Sequence, residues 1–166
     1  MTTETFTDAI ALLKADHREV EGLFEKFEKA SGSSKQAIAE EICNDLKIHA
    51  TIEEELFYPA LRGKIENDLL NEAYVEHDGA KVLINDILAG GPDDTFYDAK
   101  VTVLAEEITH HVKEEEEPGK GMFAQARAAE VDLVALRDAM LARKEELMAQ
   151  LETSGLPPAE LATLNV

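Results

Sequence analysis

The sequence predicts an all-α protein, an antiparallel up-down-up-down four-helix bundle with an additional C-terminal helix. Apolar residues recur at alternating spacings of three and four over four long segments, as one buried face of an α-helix requires. Short breaks rich in glycine, serine and proline separate the segments, so consecutive helices are expected to lie side by side in opposite directions. The composition, with 45% apolar residues and 5 prolines in 166 residues, suits a single helical domain.

The first two segments carry polar residues within their apolar stripes, one in the first and two in the second. The second helix is predicted from about Gln36 to about Leu61, and His49 and Glu53 lie one turn apart on its apolar face. Burying an imidazole and an ionised carboxylate without partners costs on the order of several kcal/mol each, so both side chains require a bonding partner in the interior. The stripe of the first helix, within residues 1–30, consists of Phe6, Ile10, Leu13, His17, Val20, Phe24 and Phe27.

The third and fourth segments repeat this arrangement. The third helix is predicted over roughly residues 65–88, with His77 inside its apolar stripe. The fourth helix follows a break at 90–94 and places His111 and Glu115 one turn apart at the end of its stripe, before a Pro-Gly-Lys-Gly interruption. Two His-x-x-x-Glu pairs that face each other would form a cage for metal ions.

The remainder of the chain predicts one more helix. Residues from Met122 to about Leu151 are rich in good helix formers. We expect residues 1–125 to form the four-helix bundle, residues 126–152 to form a C-terminal helix that packs on the bundle or on a partner, and residues 153–166 to form a flexible tail. Packing of that helix on a second copy of the chain would produce a homodimer.

Net charge and cysteine content limit the classes of partner and compartment. The net charge of -19 disfavours nucleic acid and anionic membrane surfaces, because both require a basic patch. No apolar run is long enough to cross a bilayer, and the first residues do not resemble a signal peptide, so we expect a cytoplasmic protein. The single cysteine, Cys43, cannot form an internal disulfide and is interpreted as a packing residue.

The histidines favour a metal centre over isolated core residues. Four of the five histidines fall in apolar stripes, one in each predicted helix of the bundle. Imidazole suits iron, zinc and copper, and carboxylates can bridge two ions and neutralise their charge. A single zinc ion needs only three or four donors, so two non-haem iron ions (Fe2+/Fe3+), oxo- or hydroxo-bridged, are favoured. The candidate metal ligands are His17, His49, Glu53, His77, His111 and Glu115.

Other polar side chains are expected near this centre. His110 lies off the stripe and is interpreted as a flanking residue, with a pairing to Glu114 as the alternative. Tyr58 and Tyr74 are placed to approach the centre, whereas Tyr97 is interpreted as a packing residue.

Several motifs resemble the hemerythrin-like, or HHE cation-binding, family over about residues 8–125. They are Asp16-His17, the run from His49 to Pro59, Glu76-His77-Asp78, and the double histidine with its acidic run in the fourth helix. The resemblance implies a non-haem di-iron centre inside a four-helix bundle. It also implies that the six candidate residues are iron ligands and that Glu53 and Glu115 are the bridges.

The sequence departs from the oxygen-carrying hemerythrins at two places. Those proteins have two histidines one turn apart in the third helix, whereas Ala73 and Lys81 flank His77 here. They also have an aspartate five residues after the histidine of the fourth helix, where this chain has Glu115 at four and Glu116 at five. One histidine fewer leaves an iron with an open position, or with one filled by a tyrosine, water or an oxo bridge, which disfavours reversible oxygen carriage.

The resemblance therefore predicts a protein that binds oxygen, hydrogen peroxide or nitric oxide at iron, in oxidative or nitrosative stress defence or sensing. Catalase-like or peroxidase-like turnover is left open, and it would be the chemistry of the metal because no side chain is placed as a nucleophile. The alternatives are a non-catalytic module that binds or stores oxygen or iron, and an interaction protein in which the metal serves only stability.

Overall fold

Every regular element among residues 5–165, the part of the chain that the computed structural model describes, is a helix. The all-α prediction is confirmed, while residues 1–4 of the predicted bundle and residue 166 of the predicted tail lie outside the described part. None of the described helices is long and apolar enough to span a membrane. The helices are α1 (Ala9–Lys29), α2 (Ser33–Ile52), a π-helix (Glu53–Phe57), α3 (Tyr58–Leu61), α4 (Asn67–Gly90), α5 (Tyr97–Glu116), α6 (Met122–Ala128) and α7 (Leu133–Thr153).

Four long helices enclose the interior. Helix α1 contacts α2 and α5, and α4 contacts the same two helices, so the four form a closed ring. Helix α7 packs outside this ring against α1 and α2, which is one of the two positions that the sequence allows for it. The alternating up and down directions of the four helices remain a prediction.

The interior contains two apolar clusters with a layer of polar side chains between them. The first apolar cluster joins residues near the start of α1 to α3, α6 and α7, and includes Ile10, Phe57 and Met140. The second apolar cluster joins the other parts of the four long helices, and includes Ile42 and Leu104. The polar layer consists of His17, His49, Glu53, His77, His111 and Glu115, all of which are buried.

Gly121 allows the chain to pass closely over the end of α5. A Cβ atom at this position would lie 2.7 Å from the carbonyl oxygen of Glu115 and 2.7 Å from the backbone of Glu117. Only a residue without a side chain fits so near to backbone atoms, and α6 can therefore begin at Met122 directly beside the polar layer.

The part of the chain from Met122 onward differs from the expected arrangement. The single helix predicted from Met122 is two helices, because Glu130 has a φ of 57° and Asp132 caps α7 by accepting a hydrogen bond from the backbone N–H of Ala135. The segment expected to be a flexible tail runs along α4, where the side chain of Asn85 bonds the backbone of Ala159. The contacts of this last segment involve side chains far away in sequence, which helix propensity does not reveal.

Candidate metal centre

All six predicted ligands lie together in the polar layer. None of them exposes more than 8% of its surface, and Glu53 exposes none. Donor atoms of His17, His49, Glu53 and Glu115 lie within 4.8 Å of one another, and those of Glu53, His77 and His111 form a second such group. Glu53 belongs to both groups, so the layer has the form of two adjacent donor sets that share a carboxylate.

Several atoms at the centre of the layer lack hydrogen-bond partners. They are His17 Nε2, His49 Nε2, both carboxylate oxygens of Glu53, and Glu115 Oε1. His17 Nε2 lies 3.2 Å from Glu115 Oε1, and His49 Nε2 lies 3.1 Å from Glu53 Oε1, but neither contact has hydrogen-bond geometry. Buried polar atoms that converge without bonding one another fit a shared cation, which would satisfy all of them at once.

A ring of carboxylates holds the outward-facing nitrogen of each histidine. Each carboxylate lies on one helix and binds a histidine on the next helix around the bundle. Helix α1 supplies the carboxylate for the histidine of α2, the π-helix after α2 for that of α4, α4 for that of α5, and α5 for that of α1. The Nδ1 atom of each buried histidine is thereby occupied, which leaves its Nε2 atom aimed at the centre. The pairs are His49 with Asp16 at 2.9 Å, His77 with Glu54 at 2.7 Å, His111 with Glu76 at 2.8 Å, and His17 with Glu116 at 2.5 Å.

Basic side chains hold these four carboxylates in turn. Because each carboxylate binds both a histidine and a second basic group, its position does not depend on one contact alone. The pairs are Asp16 with Lys144 at 2.7 Å, Glu54 with Lys81 at 2.9 Å, Glu116 with Arg18 at 2.7 Å, and Glu76 with His110 at 3.4 Å. The side chain of His110 is 66% exposed, so this histidine flanks the polar layer. It also lies 3.0 Å from Glu114, the partner that the sequence offered as the alternative.

The carboxylate ring was not predicted from the sequence, although a signal for it is present. Asp16, Glu54, Glu76 and Glu116 are each adjacent in sequence to one of the six candidate ligands. Adjacent residues on a helix point in directions about 100° apart, so an acid next to an inward ligand can reach the neighbouring helix. An acid directly beside four of the six candidate ligands was therefore the recognisable pattern.

The π-helix brings Tyr58 into the polar layer. The backbone N–H of Tyr58 donates to the carbonyl of Glu53, five residues earlier, which turns the tyrosine toward the same side as that glutamate. Its buried hydroxyl donates to Glu115 Oε2 at 2.8 Å and lies 3.1 Å from His77 Nε2 and 3.3 Å from His111 Nε2. Tyr58 therefore touches the candidate ligands themselves.

The other two tyrosines have packing positions. The ring of Tyr74 meets that of Tyr58 edge-on with centroids 5.2 Å apart, and Arg62 lies over its face. Tyr97 packs against Phe27 in the second apolar cluster.

Burial and neighbouring charges shift the pKa values of His49, His111 and Glu115 in the polar layer. Burial opposes a charge on His49, but Glu53 and Asp16 outweigh it and raise the pKa of this imidazole to about 10. The pKa of His111 is likewise raised, against the effect of burial, by Glu115 and Glu76. Burial would raise the pKa of Glu115, but His111 and His17 hold it well below its ordinary value. Protons on His49 and His111 would thus balance the carboxylates, and a cation that binds here would have to displace them.

A cavity of about 540 Å³ reaches this layer. All four buried histidines contribute to its lining. Its apolar walls include Leu46, Ile84, Ile108 and Val112, and the segment that follows α7 forms another wall. A small molecule could therefore lie against the histidines.

Comparison with known proteins identifies a structural neighbour, a curated relative and a matching family model. A crystal structure of a hemerythrin HHE cation-binding domain-containing protein from Mycobacterium kansasii has a TM-score of 0.72 and 23% sequence identity, covering 91% of this chain and 96% of that one. This likeness shows a shared fold.

A curated relative, a DNA nickase from Nostoc sp., is 31% identical over 106 residues, which are 63% of this chain. The match spans only 30% of that protein's length. The family model described as the hemerythrin HHE cation-binding domain matches residues 8–123, which contain all six candidate ligands and the whole carboxylate ring. The chain therefore belongs to the hemerythrin HHE cation-binding family.

Proposed function

We propose that this chain is a non-haem di-iron protein that binds a small ligand, oxygen, hydrogen peroxide or nitric oxide, at iron. The observation that supports it most is the convergence of five unpartnered buried atoms from His17, His49, Glu53 and Glu115. Glu53 lies in both donor groups, as a carboxylate that bridges two ions would. Two irons also make use of His77 and His111, which a single ion beside His17 and His49 would leave without a role.

The two ions would be held by different sets of donor residues. One group offers His17, His49 and Glu115, the other offers His77 and His111, and Glu53 belongs to both. Glu115 Oε2 also lies 3.4 Å from His111 Nε2. The Tyr58 hydroxyl lies beside the second group, and we infer that it is a further donor there. Bound iron would supply Lewis-acid and redox chemistry, and the buried layer would keep the reacting molecule away from bulk water.

The cavity that reaches the histidines is lined by both apolar and charged side chains. Ile84, Ile108 and Val112 are among the apolar ones, and Lys81 and Lys144 are among the charged ones. The position one turn after His77 is Lys81, which bonds Glu54 and does not enter the polar layer. We infer that an iron in the second group keeps a position for an external ligand, which suits stress defence or sensing better than oxygen transport.

We also propose an order for the directions of the four long helices. The connections between the four long helices, at residues 30–32, 62–66 and 91–96, are short. A short connection returns the chain beside the helix it has just left, so we infer an antiparallel up-down-up-down order. This order would place the four histidines at similar heights, as their mutual contacts require.

Metal analysis and reactivity of the purified protein test the proposal. We expect about two irons per chain, near-ultraviolet absorption from the oxidised centre, and a large loss of iron in the variant Glu53→Gln. Glu106→Gln, an exposed glutamate on α5, is the matched control and should retain its iron. Zinc in place of iron, or unchanged iron content in Glu53→Gln, would contradict the proposal.

A second candidate function is non-catalytic binding or storage of oxygen or iron. The same protein distinguishes the two after reduction and mixing with oxygen or hydrogen peroxide. Steady consumption of peroxide or nitric oxide supports a defence role, and a spectral change that reverses when oxygen is removed supports carriage.

A further inference from the structure

The segment after α7 is bonded along one face of α4, and we call residues 156–164 the strap. Asp78, Lys81 and Asn85 lie about one turn apart on that face. Asn85 donates to the carbonyl of Ala159 at 2.9 Å and accepts from its N–H at 2.8 Å. Lys81 Nζ donates to the carbonyl of Glu160 at 2.9 Å. The strap has no helix of its own, so these contacts with α4 determine where it lies.

Asp78 holds the far end of the strap. Its side chain is completely buried, and its carboxylate accepts four hydrogen bonds from the strap. The donors are the backbone N–H groups of Ala162, Thr163 and Leu164, at 2.8, 2.6 and 2.8 Å, and the hydroxyl of Thr163 at 2.6 Å. Hydrogen bonds to a carboxylate are stronger than those between neutral groups, so the strap is attached specifically.

Lys81 connects the strap to the polar layer. Its ammonium group also donates to Glu54 Oε1 at 2.9 Å, and the other oxygen of Glu54 lies 2.7 Å from His77 Nδ1. Lys81 is 7% exposed, and nearly all of its bonding therefore comes from protein groups. An unbroken series of contacts thus runs from the Glu160 carbonyl through Lys81 and Glu54 to His77.

The strap is also a wall of the cavity. Residues 156–160 line the same 540 Å³ space as His77 and His111. Gly155, with a φ of 77°, stands between α7 and the strap, so the chain changes direction immediately before this wall. Movement of the strap away from α4 would remove part of the wall and one of the partners of Lys81.

We propose that the strap closes the cavity over the metal centre, and that Lys81 is a positioning residue that couples the closed strap to His77. With the strap in place, Lys81 is fixed between Glu160 and Glu54, and Glu54 fixes the His77 ring. With the strap lifted, the cavity is open and His77 is held less firmly. The proposal rests on the proposed function only in taking the polar layer to hold metal.

The test uses full-length variants of the purified metal-loaded protein. Thr163→Pro removes a backbone donor and a hydroxyl from Asp78, and Thr163→Ser is the matched control that keeps both. Lys81→Met removes the link to Glu54, and Lys81→Arg should restore it in part. The measurements are hydrogen exchange of the strap amides, the rate at which a chelator extracts the metal, and the binding rate and absorption of azide as a small iron ligand.

We expect Thr163→Pro to raise both the exchange of the strap amides and the rate of metal extraction by at least about 10-fold, since two hydrogen bonds to a charged group are lost. Lys81→Met should speed extraction and alter the azide absorption, and the double variant should exceed the larger single effect only slightly, because both act through one series of contacts. Thr163→Ser should behave as wild type.

Two results would overturn the proposal. One is strap amides that exchange rapidly in Thr163→Pro while metal extraction and azide binding match those of wild type. The other is strap exchange unchanged in Thr163→Pro, since Asp78 would then not hold the strap. If wild type binds no azide, the iron proposal fails instead, and hydrogen exchange together with extraction of whatever metal is bound still decides whether the strap acts on the centre.

Discussion

The polar layer and the second apolar cluster are built from the same four helices, yet their side chains are satisfied in different ways. Ile42 and Leu104 in the cluster are fully buried and need only close packing. Glu53 in the layer is equally buried, and neither of its carboxylate oxygens has a hydrogen-bond partner. Each histidine of the layer is fixed from outside by a carboxylate, while its inner nitrogen points to the centre. The cluster is thus complete within the chain, whereas the layer is shaped for an added cation.

Metal removal should produce the largest difference between the two regions. At a metal concentration about 1,000 times the dissociation constant, binding to the folded state contributes about 4 kcal/mol to the free energy of unfolding. A chelator should therefore lower stability by about this amount, as measured by denaturant unfolding with and without chelator. Equal stability in both conditions would mean that the layer satisfies itself through protons and needs no cation.

A cavity created in the second apolar cluster should lower the stability of the fold without changing its metal content. Ile42→Ala removes three carbon atoms from a fully buried site and should cost about 3 kcal/mol. The metal-to-protein ratio should remain that of wild type, because Ile42 does not line the cavity that reaches the histidines. Unfolding curves and metal analysis of the same preparation check both statements. Loss of metal in this variant would show that the two regions are not independent.

The carboxylate ring should affect metal affinity more than stability. Glu54→Gln keeps the size of the side chain but weakens the contact that orients His77, and such changes lower metal affinity about 10- to 100-fold. Competition with a chelator of known affinity measures the change. The matched control is Glu55→Gln, since Glu55 is the exposed neighbour whose partner is Arg143. Equal affinities in the two variants would mean that His77 is oriented by the remaining contacts.

The sequence was most informative about the residues that break an apolar pattern. His17, His49, His77 and His111 stand out because each interrupts an otherwise regular stripe of apolar side chains. The structure brings all four together with Glu53 and Glu115. A periodic apolar pattern reveals such residues, because a polar side chain on a buried helix face needs a bonding partner whatever the rest of the fold is.

Features that depend on distant contacts could not be predicted in the same way. The π-helix inserts one residue into a turn of an ordinary helical sequence, and so Tyr58 could be placed only near the layer and not within it. The strap is held by Asp78, Lys81 and Asn85, which local propensity treats as solvent-facing residues of α4. The break at Glu130 is different, because it has a local signal in Asp132, the N-cap of α7, which the many good helix formers on both sides of it obscure.

The smallest expected effect is at Asp45, which lies outside the polar layer. Its Oδ2 atom is buried and has no hydrogen-bond partner. Burial, together with Glu19, Glu41 and Asp16, raises its pKa to about 7, while Lys144 from α7 opposes the shift. A raised pKa means that the folded state binds the proton more tightly than the unfolded state, so stability falls as pH rises from about 4 to about 7. Asp45→Asn removes this loss and should therefore be more stable than wild type at pH 8.

The gain is expected to be about 1 kcal/mol, well below the value that the full shift implies, because the side chain is partly exposed and its charge is screened by solvent. At pH 4 the wild-type carboxyl is already neutral in the folded protein, so the two proteins should have nearly equal stability there. Comparing the unfolding free energies of the two proteins across this pH range cancels the titrations that they share. A constant difference between pH 4 and pH 8 would show that Asp45, in contrast to Glu53, is hydrated in solution and carries no penalty for its charge.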